Sequence, residues 1–238
     1  MSSTRTATPD TSDRLALGAL LACAALATWI VVRVTTSEQV PALDRSVHDL
    51  LFNRGGEWVT AVAATLTWLG SIWTLVPLLV VLCLWKPRSD RPVVHAVWLL
   101  GCFGLAVLTR SVLQPLTARE RPLTDGILAD GPGFSFPSGH TLQLVVALGL
   151  LYAVYRPAGR TARALAVVGG AVLVLAVGWT RLHLGVHWFS DVVAGLLLGW
   201  AWFSLCSIAF GGRLLIFGLP IAEAEAAADR SESAVASE

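Results

Sequence analysis

Charge is the scarcest ingredient of this chain. Asp, Glu, Lys and Arg together make up 14% of its 238 residues, against roughly a quarter in an ordinary soluble domain. So few charges exclude a conventional water-facing surface. The formal net charge is +1, which excludes the strong one-sign field that draws in nucleic acid. Cysteine is sparse as well: Cys23, Cys83, Cys102 and Cys206 each fall inside an apolar run with no ligand-like spacing between them. They read as small buried hydrophobes rather than as disulfides or metal ligands. The chain has no internal repeat and no second, soluble domain. No small-x-small cleavage site follows its first apolar run, so that run reads as a retained span rather than a signal peptide.

What the chain has in excess is apolar surface. Hydrophobic residues reach 55%, and apolar runs of about 20 residues, enough to cross roughly 30 Å of bilayer core, recur along it. The first covers Leu15 to Val34. Trp58 to Trp85 is bracketed by tryptophans and contains Gly70-Ser71 and Pro77, which predicts a span with a bend or a short helix before it. Further spans are predicted over 93–113, 141–155 with a start at Ser138, 164–179 and 188–210. Within 35–57, Val40, Leu43, Val47, Leu50 and Leu51 recur at helical spacing beside Asp44, Arg45, His48 and Asp49. That pattern predicts an amphipathic helix on the membrane surface, with His48 on its wet face.

The predicted fold is therefore all-α: a polytopic bundle of six transmembrane helices over residues 15–212 with one short surface helix. A cytoplasmic segment, 1–14, precedes it. An Ala/Glu/Ser-rich tail, 213–238, follows and has too few large apolar groups to fold. Lys86, Arg88 and Arg91, then Arg156, Arg160 and Arg163, mark cytoplasmic turns under the positive-inside rule. Both termini are then cytoplasmic, and the loops 35–57, 114–137 and 180–188 face outward from the cell membrane.

Polar residues near hydrocarbon are expensive and mark function by default. Here they form three groups, all near outward loops. Arg121-Pro122 offers a planar fork suited to phosphate or carboxylate. Pro137-Ser138-Gly139-His140 opens a helix, with Ser138 as N-cap, Gly139 permitting close backbone approach, and first-turn amides able to seat an anion. His140 exceeds what a cap requires. Arg181, five residues, His187, three residues and Asp191 complete the set. A helix running from about His187 would put Asp191 on the same face, within reach of the imidazole. A metal site made of His183, His187 and Asp191 is disfavoured, because Gly185 interrupts the helical spacing and Arg181 would repel a cation. His183 reads as a structural or supporting residue.

The trio Arg121-Pro122, Pro137-Ser138-Gly139-His140 and Arg181-x5-His187-x3-Asp191 resembles the signature of the type 2 phosphatidic acid phosphatase and vanadium haloperoxidase superfamily, in particular its integral-membrane lipid phosphatase branch. The resemblance covers about residues 58–210. It implies a phosphatase without cofactor or metal, acting on a lipid phosphate or diphosphate such as a polyprenyl diphosphate, phosphatidylglycerophosphate or phosphatidate. His187 would be the nucleophile that becomes phosphohistidine, Asp191 its orienting partner and His140 the proton donor. Arg121, Arg181, Ser138 and Gly139 would bind the phosphate. One position departs from the pattern: the family's first motif has a lysine seven residues before its arginine, and here that residue is Gln114. Glutamine can bond a phosphate oxygen without bringing charge. Arg110, one turn earlier on the same face, or Arg119 are candidates to supply it. A lipid phosphotransferase using the same site and a non-catalytic phospholipid-binding or transport protein are the alternative readings. The expected partners are the lipid substrate and the bilayer. Oligomeric state is left open.

Overall fold

The computed structural model describes residues 11–37, 39–85, 92–122, 133–154, 157 and 159–211. The predicted basic turn at 86–91, most of the predicted segment 1–14, residues 123–132 and the tail 213–238 lie outside them. Every regular element among the described residues is helical: α1 (Thr11–Thr36), α2 (Ala42–Leu51), α3 (Gly56–Leu66), a 3-10 turn (Thr67–Gly70), α4 (Ile72–Trp85), α5 (Pro92–Thr117), α6 (Gly139–Val154), α7 (Arg160–His183) and α8 (Phe189–Gly211).

The chain is an integral membrane protein. Stretches of α5, α7 and α8 are each long and apolar enough to cross a bilayer, and α3 with α4, bent by 43° at Gly70-Ser71, make a fourth candidate. The described parts of α1 and α6 are apolar but shorter. Large hydrophobic side chains lie bare on the outside of these helices. Trp73 is 78% exposed and Leu84 77%, the reverse of a water-soluble surface and the normal condition of one facing lipid.

Helices end later than the sequence suggested, and the extra turns carry site residues. α5 continues past Pro115 to Thr117, where Ala118 adopts a left-handed backbone (φ 45°) and donates its N–H to the Gln114 carbonyl at 3.0 Å. Arg110 and Gln114 thereby share one helix face. α7 runs through His183 and carries Arg181 in its last turn.

A helix is present at 42–51, where the amphipathic one was expected, and one residue departs from the expected arrangement. Leu43 and Leu50 are 61% and 68% exposed, whereas Asp44 is 1% exposed. His48, expected on the wet face, is half-buried, stacked on Phe52 at 4.9 Å and tilted against Trp188 at 5.5 Å, with Nδ1 shut away from solvent. Asp44 is buried because its carboxylate bonds Arg119 and Ser190 inside the protein.

α6 is the central helix, burying Leu142, Leu144, Val146, Ala147 and Leu150 among α4, α5, α7 and α8. Its tightest neighbour is α8, and small residues set the spacing. A β-carbon at Gly195 would stand 2.7 Å from the Ser138 carbonyl oxygen, and one at Gly199 2.7 Å from that of Leu142. Even Gly195→Ala should therefore overpack this seam, costing about 1–3 kcal/mol. It should lower both the melting temperature in detergent and activity. An unchanged melting temperature would contradict the close α6–α8 approach.

Candidate active site

The site assembles where helix ends meet. Ser138 is the N-cap of α6: its carbonyl accepts the first helical bond, from Leu142 N–H at 3.1 Å, while its own N–H donates to the Asp191 carbonyl at 3.0 Å. The start of α6 is thus tied to the start of α8. The Ser138 amide, expected among the anion donors, is spent on this tie, and its hydroxyl pairs with that of Thr141 at 3.1 Å. The first-turn amides of Gly139 and His140 have, as in any α-helix, no intrahelical acceptor.

Gly139 is required by what lies over it. Its β-carbon would sit 2.5 Å from Cδ and Nε of Arg110, so the Arg110 side chain crosses the mouth of α6, as its place one turn before Gln114 suggested. Arg181 reaches back from α7 to donate to Thr67 Oγ1 at 2.8 Å, which explains why the break between α3 and α4 belongs to the site. Gly70 of the same turn lies against His140: a β-carbon there would be 3.1 Å from both its Cβ and its carbonyl oxygen. The Nε atoms of Arg110 and Arg181 are buried and have no acceptor among the described residues.

Arg121 is held by backbone. Its Nε, Nη1 and Nη2 donate to the carbonyls of Gly133 (3.0 Å), Val186 (2.6 Å) and Phe134 (3.2 Å). Gln114 Nε2 donates to the Phe134 carbonyl at 2.9 Å. Arg110, Arg121 and Arg181 act electrostatically on both His140 and His187, so three guanidiniums converge on two imidazoles.

His187 lies in the short turn between α7 and α8 and is 3% exposed. The expected hydrogen bond from its ring to Asp191 is not the one that forms. Nδ1 lies 2.7 Å from the Ser135 carbonyl oxygen and 3.6 Å from Asp191 Oδ2, beyond hydrogen-bond range. Burial first, then the charges of Arg181 and Arg121, push the imidazole well below its ordinary pKa, with the Ser135 bond opposing them and Arg110 adding to them.

Asp191 is occupied otherwise. Its Oδ2 accepts the Trp188 backbone N–H at 2.8 Å, the N3-to-N-cap half of a capping box on α8, and Oδ1 accepts from Arg119 Nη1. Arg119, a candidate for the missing phosphate charge, is committed to carboxylates: Nη2 donates to Asp44 Oδ2 at 2.6 Å, and the guanidinium lies 5.8 Å from the Trp188 ring centroid. His183 is fully buried away from the cluster, its Nε2 3.2 Å from Thr60 Oγ1 and its Nδ1 3.2 Å from the Leu51 carbonyl, with Trp179 stacked at 5.0 Å.

Sequence reasoning brought together Arg110, Arg121, the 138–140 turn, Arg181, His187 and Asp191. It missed Asp44, Thr67 and the Ser135 carbonyl. For Asp44 a signal existed, a carboxylate one residue from an apolar stripe that must face lipid. A carbonyl leaves no trace in the side-chain pattern.

The model of the PAP2 superfamily matches residues 95–214, half of the chain. Phosphatidylglycerophosphatase B of Bacillus subtilis (strain 168) is 29% identical over 146 residues, 60% of this chain and 70% of that one. The undecaprenyl-diphosphatase of Sulfolobus acidocaldarius is 30% identical over 117 residues, 47% of this chain and 53% of that protein. Among solved structures, the transmembrane PAP2 type phosphatidylglycerolphosphate phosphatase from Bacillus subtilis shares the fold with a TM-score of 0.66 at 24% identity, covering 80% of this chain and 93% of its own. With the three motif segments folded to one end of a helical membrane bundle, this chain belongs to the PAP2 superfamily.

Proposed function

We propose that this protein hydrolyses the phosphomonoester or diphosphate of a membrane lipid through a phosphohistidine at His187. The contact that carries the reading is His187 Nδ1 to the Ser135 carbonyl, 2.7 Å. A carbonyl oxygen can only accept, so Nδ1 holds the ring proton and Nε2 keeps its lone pair. With its pKa pushed well below the usual range, the ring is neutral at physiological pH, the state a nucleophile needs. Nε2 attacks phosphorus and forms the N–P bond as the P–O bond to the leaving group breaks. Arg110, Arg121 and Arg181, with the first-turn amides at Gly139 and His140, take up the charge on the phosphoryl oxygens. His140 gives its proton to the leaving oxygen, then takes one from the water that cleaves the N–P bond and releases inorganic phosphate. The same three guanidiniums repel a fourth positive charge, so protonated His140 depends on the negative charge the substrate brings.

The relatives named above are lipid phosphatases, and the surroundings suit a lipid here. An apolar groove of about 610 Å³ between α6, α7 and α8 starts below the site near Val145, Val174 and Leu196, where an acyl or prenyl tail can stay in hydrocarbon while its head group meets the arginines. We read α1, the bent α3–α4 pair, α5, α6, α7 and α8 as six crossings, with cytoplasmic termini, α2 on the outer surface, and the site on the outer face of the cell membrane.

Protein purified in detergent should release inorganic phosphate from a lipid phosphate or diphosphate with EDTA present. His187→Ala should lose at least about 10³-fold in kcat; equal release by that variant would remove the nucleophile. The sign of the pH dependence follows from the lowered His187 pKa: activity needs the free base and disappears as pH falls through that value. The acid limb of kcat/KM should therefore lie below about 6.5, the ordinary imidazole value, and a limb at or above it contradicts this electrostatic account. Arg110→Ala should reduce kcat/KM about 10²-fold. Gln114→Ala, which severs a bond to a loop carbonyl, should cost about tenfold or less. The opposite ranking would return the phosphate-binding role to position 114.

A further inference from the structure

Two residues outside the motif segments form a chain to the acid at the end of the third, Arg119 bonding it directly and Asp44 standing behind Arg119. Asp44, on α2, is 1% exposed. Its Oδ1 accepts the Ser190 backbone N–H at 2.8 Å, and its Oδ2 accepts both the Ser190 hydroxyl and Arg119 Nη2 at 2.6 Å. Arg119 then spans the gap, one prong of its fork on Asp44 and the other on Asp191 Oδ1 and Ser190 Oγ. A surface helix thus caps the N-terminus of α8 from outside that helix. The carboxylate–guanidinium–carboxylate chain ends 3.6 Å from the nucleophilic ring.

We propose that Asp44 and Arg119 are positioning residues for the reaction at His187, and that α2 is part of the active site. The inference rests on the reading of His187 as nucleophile. Arg119 has two tasks in it. It fixes the Asp191 carboxylate, which holds Trp188 and so the turn carrying His187. It also neutralises that carboxylate, because a bare negative charge beside Nδ1 would draw a second proton onto the ring and remove the nucleophile. Other charges act on the ring: Arg110 from α5, Arg121 from the segment after it, Arg181 from α7 and, when protonated, His140 from α6. All are cationic and oppose that second proton. Among the described residues the carboxylate nearest Nδ1 in an ion pair is Asp191, from α8, at 3.6 Å, and Arg119 with Asp44 behind it sets how much of its charge the ring feels. Asp44 keeps Arg119 stretched between two acids instead of turning its fork toward an incoming phosphate.

The test compares full-length Asp44→Asn, Arg119→Gln and His187→Ala, purified in the same detergent, by steady-state phosphate release across pH and by melting temperature. Asp44→Asn should lower kcat about 10- to 100-fold, the size of effect that a small misplacement of reacting groups produces, with KM within about twofold. Arg119→Gln should lower kcat at least as much and move the acid limb of kcat/KM to higher pH by about one unit. Full kcat in both, with His187→Ala inactive, overturns the proposal and leaves the nucleophile standing; an active His187→Ala overturns the reading beneath it. A fall in kcat with an unmoved acid limb and a lower melting temperature also overturns it, since that pattern is structural loss alone. Should Arg119→Gln not fold, the near-isosteric Asp44→Asn decides by its kcat. If that variant does not fold either, Asp44 is a scaffold residue and the proposal fails.

Discussion

The structure is built around positive charge gathered at the ends of its helices. Arg110, Arg121 and Arg181 converge on two imidazoles at one end of a membrane bundle. Arg181 is anchored by a threonine hydroxyl and Arg121 by backbone carbonyls, and Arg110 crosses the mouth of a helix. Carbonyls and hydroxyls orient a guanidinium without themselves bringing charge. The two buried carboxylates nearby, Asp44 and Asp191, are turned onto Arg119 instead. The acids are thereby held to one side of the cluster by a single arginine. In the proposed reaction an incoming phosphate would be attracted by these guanidiniums in a buried setting, where such attraction is stronger than in water.

That arrangement needs helix ends brought unusually close, and glycine permits it. Gly195 lets the start of α8 touch the Ser138 carbonyl, Gly139 lets Arg110 cross the mouth of α6, and Gly70 brings the α3–α4 break onto His140. A missing side chain on one element at each place leaves room for a functional group on another. The 43° bend at Gly70-Ser71 belongs to the same scheme: it supplies Thr67, the hydroxyl that holds Arg181. A straight span would bury the same apolar surface but leave this arginine without that partner.

Much of this was legible in the sequence, and the limits have physical causes. Helix positions could be read because hydrocarbon imposes a minimum length on each apolar run, and the motif residues because polar groups there are costly. Helix ends were misjudged where a polar residue continued a helix instead of ending it, as at Gln114 and Arg181. Periodicity senses lipid contact, whereas backbone hydrogen bonding continues for as long as geometry allows. The partner of His187 was missed for another reason. Asp191, four residues on, was the visible acceptor, but a carbonyl more than fifty residues away in sequence, that of Ser135, takes the bond at 2.7 Å. Side-chain patterns cannot report where folding delivers a backbone oxygen.

Arg119 and Gln114 are best understood together. From sequence alone, Gln114 stands where a lysine would bring charge and Arg119 is a candidate to supply it; Gln114 bonds the Phe134 carbonyl and Arg119 bonds two carboxylates. Gln114 and Arg121 converge on the Phe134 carbonyl, at 2.9 and 3.2 Å. An ammonium at position 114 would offer that carbonyl a donor too, but it would add a further positive charge between Arg110 and Arg121, which already act on each other. An amide meets the same oxygen without that repulsion. Arg110, not position 114, brings positive charge to the mouth of α6, while Arg119 is paired with Asp44 and Asp191.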